Sequence, residues 1–132
     1  MQLDALDFPI VWMRFKAPSN SPGLSPFEEF EQLLARKQPF VLINDEGLDR
    51  SNHEESPEER KQVSLWMKRN KAELRSYVKA AIYIEPSTAK RVATKAFAAI
   101  YEKFWGYPMM MAITMDEAVR LANDLLTPME SA

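Results

Sequence analysis

Three helix-start signals of the same kind punctuate this chain of 132 residues. Residues 25–28 read Ser-Pro-Phe-Glu, residues 56–59 read Ser-Pro-Glu-Glu, and residues 114–117 read Thr-Met-Asp-Glu. In each, the first hydroxyl can accept the backbone amide of the third helical residue, and the glutamate there can bond back to the cap. Proline at the first helical position favours initiation in the first two. Helices are therefore predicted to begin at all three points, and any strand must lie before or between these helices.

Four apolar runs occupy the remaining intervals. They span residues 8–15, 40–43, 80–84 and 109–113. The run at 40–43 is apolar without alternation, which favours a strand covered on both faces, as in a parallel sheet between helices. A further helix is predicted to begin at Ser87 or Thr88 and to end at Gly106, because glycine suits the left-handed position after a helix.

The order strand–helix, repeated four times, predicts an α/β fold. Strands that alternate with helices are joined by right-handed crossovers and pair in parallel. We therefore predict a four-stranded, mainly parallel sheet with four helices, (βα)4, in a single domain over residues 1–132 whose tail at 128–132 frays. Each helix should bury an apolar stripe. In the third helix that stripe consists of Val92, Ala93, Ala96, Phe97, Ile100, Tyr101 and Phe104.

Composition narrows the class of protein. The net charge is −2, which gives no overall attraction to nucleic acid or to an anionic membrane. No apolar run approaches the roughly 20 residues of a membrane span, and residues 1–8 lack the basic residues of a signal peptide. The chain has no cysteine, which excludes disulfides and thiolate chemistry and is typical of a reducing compartment. We expect a cytoplasmic protein without a membrane span or a nucleic-acid partner.

Cofactor and catalytic signatures are missing from the sequence. Gly23, Gly47 and Gly106 are the only glycines, so neither a Walker loop nor a dinucleotide fingerprint can form. His53, the single histidine, lies in a polar loop, and no Gly-x-Ser-x-Gly elbow exists, which favours a surface residue over a catalytic base. The acidic segment 45–55 lacks the spacing of a calcium loop, which favours a solvated loop over a metal site. We predict no cofactor, no metal and no catalytic residue.

The carboxyl ends of the strands are the predicted site. Ligands of open α/β sheets gather there, near helix N-termini. This rim would contain Asn44, Asp45, Glu85, Ser87, Thr88 and Thr114. Lys90 and Arg91 follow in the first turn of the third helix, where the helix dipole disfavours cations. With Ser87 and Thr88 they could bind a phosphate or carboxylate, and the alternative is that both long side chains extend into water.

The N-terminal strand at 8–15 is predicted to lie at the edge of the sheet. Pro9 has no amide hydrogen to donate, which suits a strand start or an edge. Exposed edges pair readily with other chains. Trp12 is therefore predicted either to lie in the core or to contact a second copy in a homodimer that forms through this edge strand.

Several features between residues 38 and 126 carry a family resemblance. They are the apolar strand that ends in Asp45, the segments 56–61, 66–70, 81–84, 107–108 and 114–118, and the residues Ser87 and Arg91. In these features the chain resembles uncharacterised bacterial proteins related to the STAS domain, which has the SpoIIAA-like fold. The resemblance implies a four-stranded sheet in a repeating strand–helix superhelix.

The resemblance also implies a function. STAS domains are anti-sigma factor antagonists and regulatory modules, and their phosphorylated serine lies at the N-terminus of the helix after the central strand. The matching region here runs from Asn44 to Ser56, with Ser51 and Ser56 as the available hydroxyls. A longer, more acidic loop stands where the family has an Asp-Ser-Ser-Gly type motif. The candidate switch or docking rim is therefore Asn44, Asp45, Ser51 and Ser56.

Three functions remain open from the sequence. The first is a non-enzymatic binding or regulatory module that acts through a protein partner. The second is a small-molecule or anion binder, for phosphate, lipid or nucleotide, that uses the strand-end rim and the candidate anion site at Ser87, Thr88, Lys90 and Arg91. The third is a small enzyme with a dispersed acid–base site. The lack of glycine loops, cysteine and a structured histidine favours the first.

Overall fold

The computed structural model describes residues 2–14, 25–48 and 56–127. The strands are β1 (Gln2–Asp4), β2 (Ile10–Arg14), β3 (Phe40–Asn44), β4 (Val78–Ile84) and β5 (Met109–Ala112). The helices are α1 (Pro26–Leu34), α2 (Pro57–Tyr77), α3 (Thr88–Trp105) and α4 (Met115–Leu126). The tail at 128–132, for which fraying was predicted, lies outside the described residues.

The five strands form one mixed sheet in the order β1-β2-β3-β4-β5. Strands β2 to β5 pair in parallel, and β1 pairs antiparallel to β2, with Leu3 opposite Met13. The α/β class and the four helices are thus confirmed, but the prediction of four strands is wrong. Strand β1 has only three residues, of which Leu3 is apolar, and so short a segment shows no hydrophobic periodicity. Only its pairing with β2 defines it as a strand.

The additional strand also changes the edge of the sheet. Strand β2 is hydrogen-bonded on both sides, to β1 and to β3. The prediction that this strand lies at the edge of the sheet is therefore wrong. The dimer contact expected there loses its unpaired edge, because the N-terminal edge belongs to the three-residue β1. The Trp12 indole nitrogen donates a hydrogen bond to Asp7 Oδ2 at 2.8 Å.

The helices cover the two faces of the sheet unequally. Parallel strands that follow one another in order through crossovers of one hand place all their connecting helices on one face. Accordingly α1, α2 and α3 pack on the face that carries Leu42 and Tyr83. Helix α4 connects no strands and covers the opposite face, where Ala118 and Ala122 meet Ile43 and related residues. Strand β3 lies between these layers, and all five of its residues are buried.

The predicted helix starts are confirmed, with reciprocal capping boxes at Ser25 and Ser56. At Thr114 the hydroxyl accepts the Glu117 amide, as predicted, but the Glu117 carboxylate bonds to the preceding amide of Ile113. Helix α3 ends at Trp105 and is capped by Gly106, whose φ of +90° is the left-handed conformation expected of a helix stop. Capping is read correctly from sequence because its partners lie within four residues of each other.

The predicted burial of the α3 stripe is wrong for most of its members. Tyr101 is the only buried residue of α3. Val92, Phe97 and Ile100 are 58%, 42% and 65% exposed. The helix instead turns the side that carries Ala98 and Trp105 towards the core. Its apolar residues extend further round the helix than the core can cover, so one apolar face points outward.

Within residues 2–14, 25–48 and 56–127, no helix combines the length and apolar character that a membrane crossing needs.

Candidate functional site

The carboxyl ends of β2, β3 and β4 meet at one edge of the sheet, as expected of parallel strands. We use the name strand-end rim for Arg14, residues 44–48 and residues 85–91. The ends of β4 and β5 are also joined there, because the Glu85 amide donates to the Ala112 carbonyl at 2.7 Å. The rim contains Asn44, Asp45, Glu85, Ser87 and Thr88, which are five of the six residues predicted for it. The sixth, Thr114, follows β5 and caps α4.

Asn44 is a buried polar residue at the end of β3, with 1% of its surface exposed. Its Nδ2 donates to the Met13 carbonyl at 2.8 Å and to Glu46 Oε1 at 3.1 Å. Its Oδ1 accepts the Glu46 backbone amide at 2.9 Å, which is the bond of an Asx turn. One side chain thus ties β2 to β3 and starts the turn that carries the chain out of the sheet.

Glu85 is the second buried polar residue of the rim, with 5% of its surface exposed. Its Oε1 accepts the Leu48 amide and its Oε2 accepts the Ser87 amide, both at 2.9 Å. These two backbone bonds lower the pKa of Glu85, and Lys90 and Arg91 lower it further, although burial opposes the shift. The carboxylate therefore stays ionised and joins the loop after β3 to the start of α3.

Gly47 allows the loop to approach Glu85 closely. Its φ is +85°, which non-glycine residues rarely adopt. A Cβ at this position would lie 3.3 Å from Glu85 Oε1, closer than ordinary van der Waals contact. The loop conformation and the Glu85 bonds are therefore coupled.

We expect Gly47→Ala to lower the free energy of unfolding by about 1–2 kcal/mol, because alanine is disfavoured at positive φ and crowds the carboxylate. Urea denaturation followed by tryptophan fluorescence measures the loss. In a Glu85→Ala background the crowding is absent, so the same substitution should cost less. Equal costs in both backgrounds would show that loop and carboxylate are not coupled.

The candidate anion site is bonded to the chain's own groups. Ser87 Oγ caps α3 by accepting the Lys90 amide at 3.3 Å. Arg91 Nη1 donates to the Glu85 carbonyl at 2.6 Å, and its Nη2 donates to Thr88 Oγ1 at 3.0 Å. Arg91 thus holds the chain reversal between β4 and α3, and the Lys90 side chain is exposed. Binding of an external anion here stays a prediction.

Asp45 is the exposed acid of the rim. The Arg14 guanidinium, at the end of β2, bonds both of its carboxylate oxygens, at 3.3 and 3.4 Å. Arg14 also approaches Asp4 Oδ2 at 4.0 Å and Gln2 Oε1 at 3.4 Å. Sequence reasoning missed Arg14, although its position at the end of a strand parallel to β3 was a usable signal.

The remaining candidates lie beyond the sheet or outside the described residues. Ser56 caps α2, and its Oγ accepts the Glu59 amide at 3.1 Å. Helix α2 leads directly into β4 and, with 21 residues, is about 31 Å long. Its N-terminus therefore extends beyond the carboxyl end of β4, which is about 23 Å long.

Ser51, His53 and most of the acidic segment lie outside the described residues. Among the residues that the structure describes, no group of three metal-ligating side chains occurs.

Comparison of the chain with protein-family models, with curated proteins and with solved structures finds no match. The STAS-like resemblance therefore stays a prediction that rests on the residues quoted for it.

Proposed function

We propose that this chain is a non-enzymatic binding or regulatory module and that a protein partner docks on its strand-end rim. The observation that carries this proposal is the mutual bonding of the rim. Asn44 and Glu85 are buried and together accept or donate five hydrogen bonds to strand and loop groups. A surface fixed in this way before binding loses little conformational entropy when a partner docks.

The chemistry of the rim favours recognition over catalysis. A general base needs a pKa near the working pH. The pKa of Glu85 is lowered by its bonds to Leu48 and Ser87, so this carboxylate is a weak base, and both of its oxygens already accept backbone amides. Asp45 is paired with Arg14. These two acids therefore define shape and charge at the rim.

The regulatory part of the proposal rests on the STAS-like resemblance. The repeating strand–helix order from β2 to α4 supports it as a fold argument only. Phosphate on Ser56 would lie at the positive end of α2 but beside Glu58 and Glu59, so attraction and repulsion would oppose each other. Ser51 is the other hydroxyl of the proposed switch.

Anion binding at Ser87, Thr88, Lys90 and Arg91 is the alternative proposal, and the geometry supports it less. Both terminal nitrogens of Arg91 and the Ser87 hydroxyl bond within the chain. An external anion would compete with the Glu85 carboxylate, which already occupies the positive end of α3 through the Ser87 amide.

The test of rim docking is charge reversal at Asp45. We expect Asp45→Arg to weaken binding of a rim partner at least about tenfold, because it reverses the exposed charge and places it against Arg14. The immobilised chain is used to capture proteins from an extract of its native cell, and the captured protein is purified and titrated by calorimetry. Asp124→Arg, an exposed residue near the end of α4, is the matched control and should bind normally.

Two outcomes would overturn the proposal. One is a captured protein whose affinity is the same for Asp45→Arg and for the unmodified chain. The other is recovery of a bound metabolite in place of a protein, which would favour the small-molecule alternative.

A further inference from the structure

We propose that the outer face of α3 is a separate docking surface and that it takes an acidic amphipathic helix of a partner protein. This surface, which we call the α3 face, consists of Ala89, Lys90, Val92, Ala93, Ala96, Ile100 and Lys103. It lies on the side of α3 that turns away from the sheet and shares only Ala89 and Lys90 with the strand-end rim. The inference does not depend on rim docking.

The α3 face is apolar and exposed. Ile100 is 65% exposed, Val92 is 58% exposed, and Ala89, Ala93 and Ala96 are exposed with them. At about 3.6 residues per turn these residues lie on one side of the helix. Side chains of this kind at this spacing normally cover a core. Here Tyr101 and Trp105 face the core instead, and the side chains of Val92 and Ile100 remain mostly exposed.

The spacing of the face fits a second helix. Ala89, Ala93, Ala96 and Ile100 follow one another in steps of four, three and four residues. This period of about 3.5 residues is that of the seam between two helices in a coiled coil. The three alanines allow a close approach of the partner helix, and Ile100 and Val92 can insert between its side chains.

The charge of the face fits an acidic helix. Helix α3 contains Lys90, Arg91, Lys95 and Lys103 against Glu102, a net charge of +3 in a chain whose overall charge is −2. Lys90 and Lys103 border the α3 face at its two ends, about 20 Å apart. Glu102 is exposed but lies outside the α3 face, so the face itself contains two lysines and no acid.

A second copy of the chain fits the face poorly. Pairing of α3 with another α3 would bring lysines together in either orientation, which is unfavourable. The acidic helices α1 and α4 use their apolar sides, with Phe30 and Leu33 or with Ala118 and Ala122, to cover the sheet. Within the described residues, a second copy therefore offers no acidic apolar helix.

A library of displayed helices tests the proposal. Peptides of about 21 residues carry leucine at the a and d positions and a free choice of acidic, basic or neutral residues at e and g, and they are selected on the full chain. We expect acidic residues to be enriched at e and g. In fluorescence anisotropy titrations, Ile100→Glu and Lys103→Glu should each weaken the selected peptides about tenfold or more.

Lys95→Glu is the matched control, since it reverses an exposed lysine of the same helix outside the face and should leave binding within about twofold of normal. Selection of no peptide, of basic peptides, or of peptides that bind Ile100→Glu normally would overturn the proposal. If the chain dimerises in sedimentation experiments and Ile100→Glu abolishes the dimer, the α3 face binds a second copy of the chain and the proposal is wrong. If the chain binds phosphatidylglycerol vesicles and Ile100→Glu abolishes this binding, the α3 face binds a membrane surface and the proposal is wrong.

Discussion

Glu85→Ala is expected to lower the free energy of unfolding by about 2–4 kcal/mol, because it leaves two backbone amides without an acceptor. The Leu48 and Ser87 amides both bond to the carboxylate in the folded chain. Loss of these two bonds frees the loop after β3 from the start of α3. The substitution should therefore both lower the stability of the chain and change the shape of the rim. Urea denaturation monitored by tryptophan fluorescence measures the stability, since Trp66 is buried against Phe27 and Phe30.

Glu85→Gln and Glu73→Ala are the controls for this prediction. Glutamine has nearly the same shape and keeps one side-chain oxygen that can accept a backbone amide. Glu85→Gln should therefore lower the free energy of unfolding less than Glu85→Ala does. Glu73 is an exposed residue of α2, and its replacement should change the free energy of unfolding by about 0.5 kcal/mol or less. Equal stability of Glu85→Ala and Glu73→Ala would show that the two backbone bonds contribute nothing.

The same carboxylate gives a pH dependence with a defined sign. The pKa of Glu85 is lower in the folded chain than its ordinary value of 4.5. The unfolded chain therefore binds this proton more readily, and stability falls as the pH falls. The contribution of the ionised Glu85 carboxylate to the free energy of unfolding is complete above about pH 4.5. It is lost as the pH decreases through the pKa of Glu85 in the folded chain. Glu85→Gln should lack this part of the acid-dependent loss.

Asn44→Asp is expected to lower the free energy of unfolding by about 2–4 kcal/mol at neutral pH, although it replaces a single NH2 group by oxygen. The aspartate can only accept hydrogen bonds, whereas Nδ2 of Asn44 donates to the Met13 carbonyl and to the Glu46 carboxylate. An oxygen at that position faces two other oxygens in a buried site. Protonation of the new carboxyl restores a donor, so stability relative to the unmodified chain should recover as the pH decreases.

Asn44→Ala and Asn123→Asp separate the causes of this effect. Alanine also removes the bonds to Met13 and Glu46, but its cost relative to the unmodified chain should not recover at low pH. Asn123→Asp adds the same charge at an exposed position of α4 and should cost less than about 1 kcal/mol. The interpretation of Asn44 as the donor that joins β2 to β3 would be wrong if Asn44→Asp were as stable as Asn123→Asp at neutral pH.

Much of the rim could be predicted from the sequence, and its bonding could not. Polar residues after apolar runs indicated that Asn44 and Glu85 would lie at the same edge, because parallel strands place their ends together. The sequence does not show that both side chains turn inward, where Asn44 donates to the Met13 carbonyl and Glu85 accepts the Leu48 amide. That choice depends on contacts such as Glu85 with Leu48, which are 37 residues apart in sequence. The pairing of Arg14 with Asp45 also joins residues far apart in sequence, by 31 positions, although the strand end before Arg14 indicated that it lies at this edge.

The local interactions of the chain were determined by the sequence itself. The helix starts at Ser25, Ser56 and Thr114 and the helix stop at Gly106 were all predicted, because capping and backbone conformation involve residues a few positions apart.

Only the tertiary structure decided what covers each surface. A stripe of apolar residues predicts that a helix has a face to bury, but whether another layer meets it depends on where all the other elements pack. The same periodicity therefore leads to burial at Trp66 in α2 and to exposure at Ile100 in α3. Strand β1 exists for the same physical reason, because its three residues have no strong preference of their own and acquire one by pairing with β2.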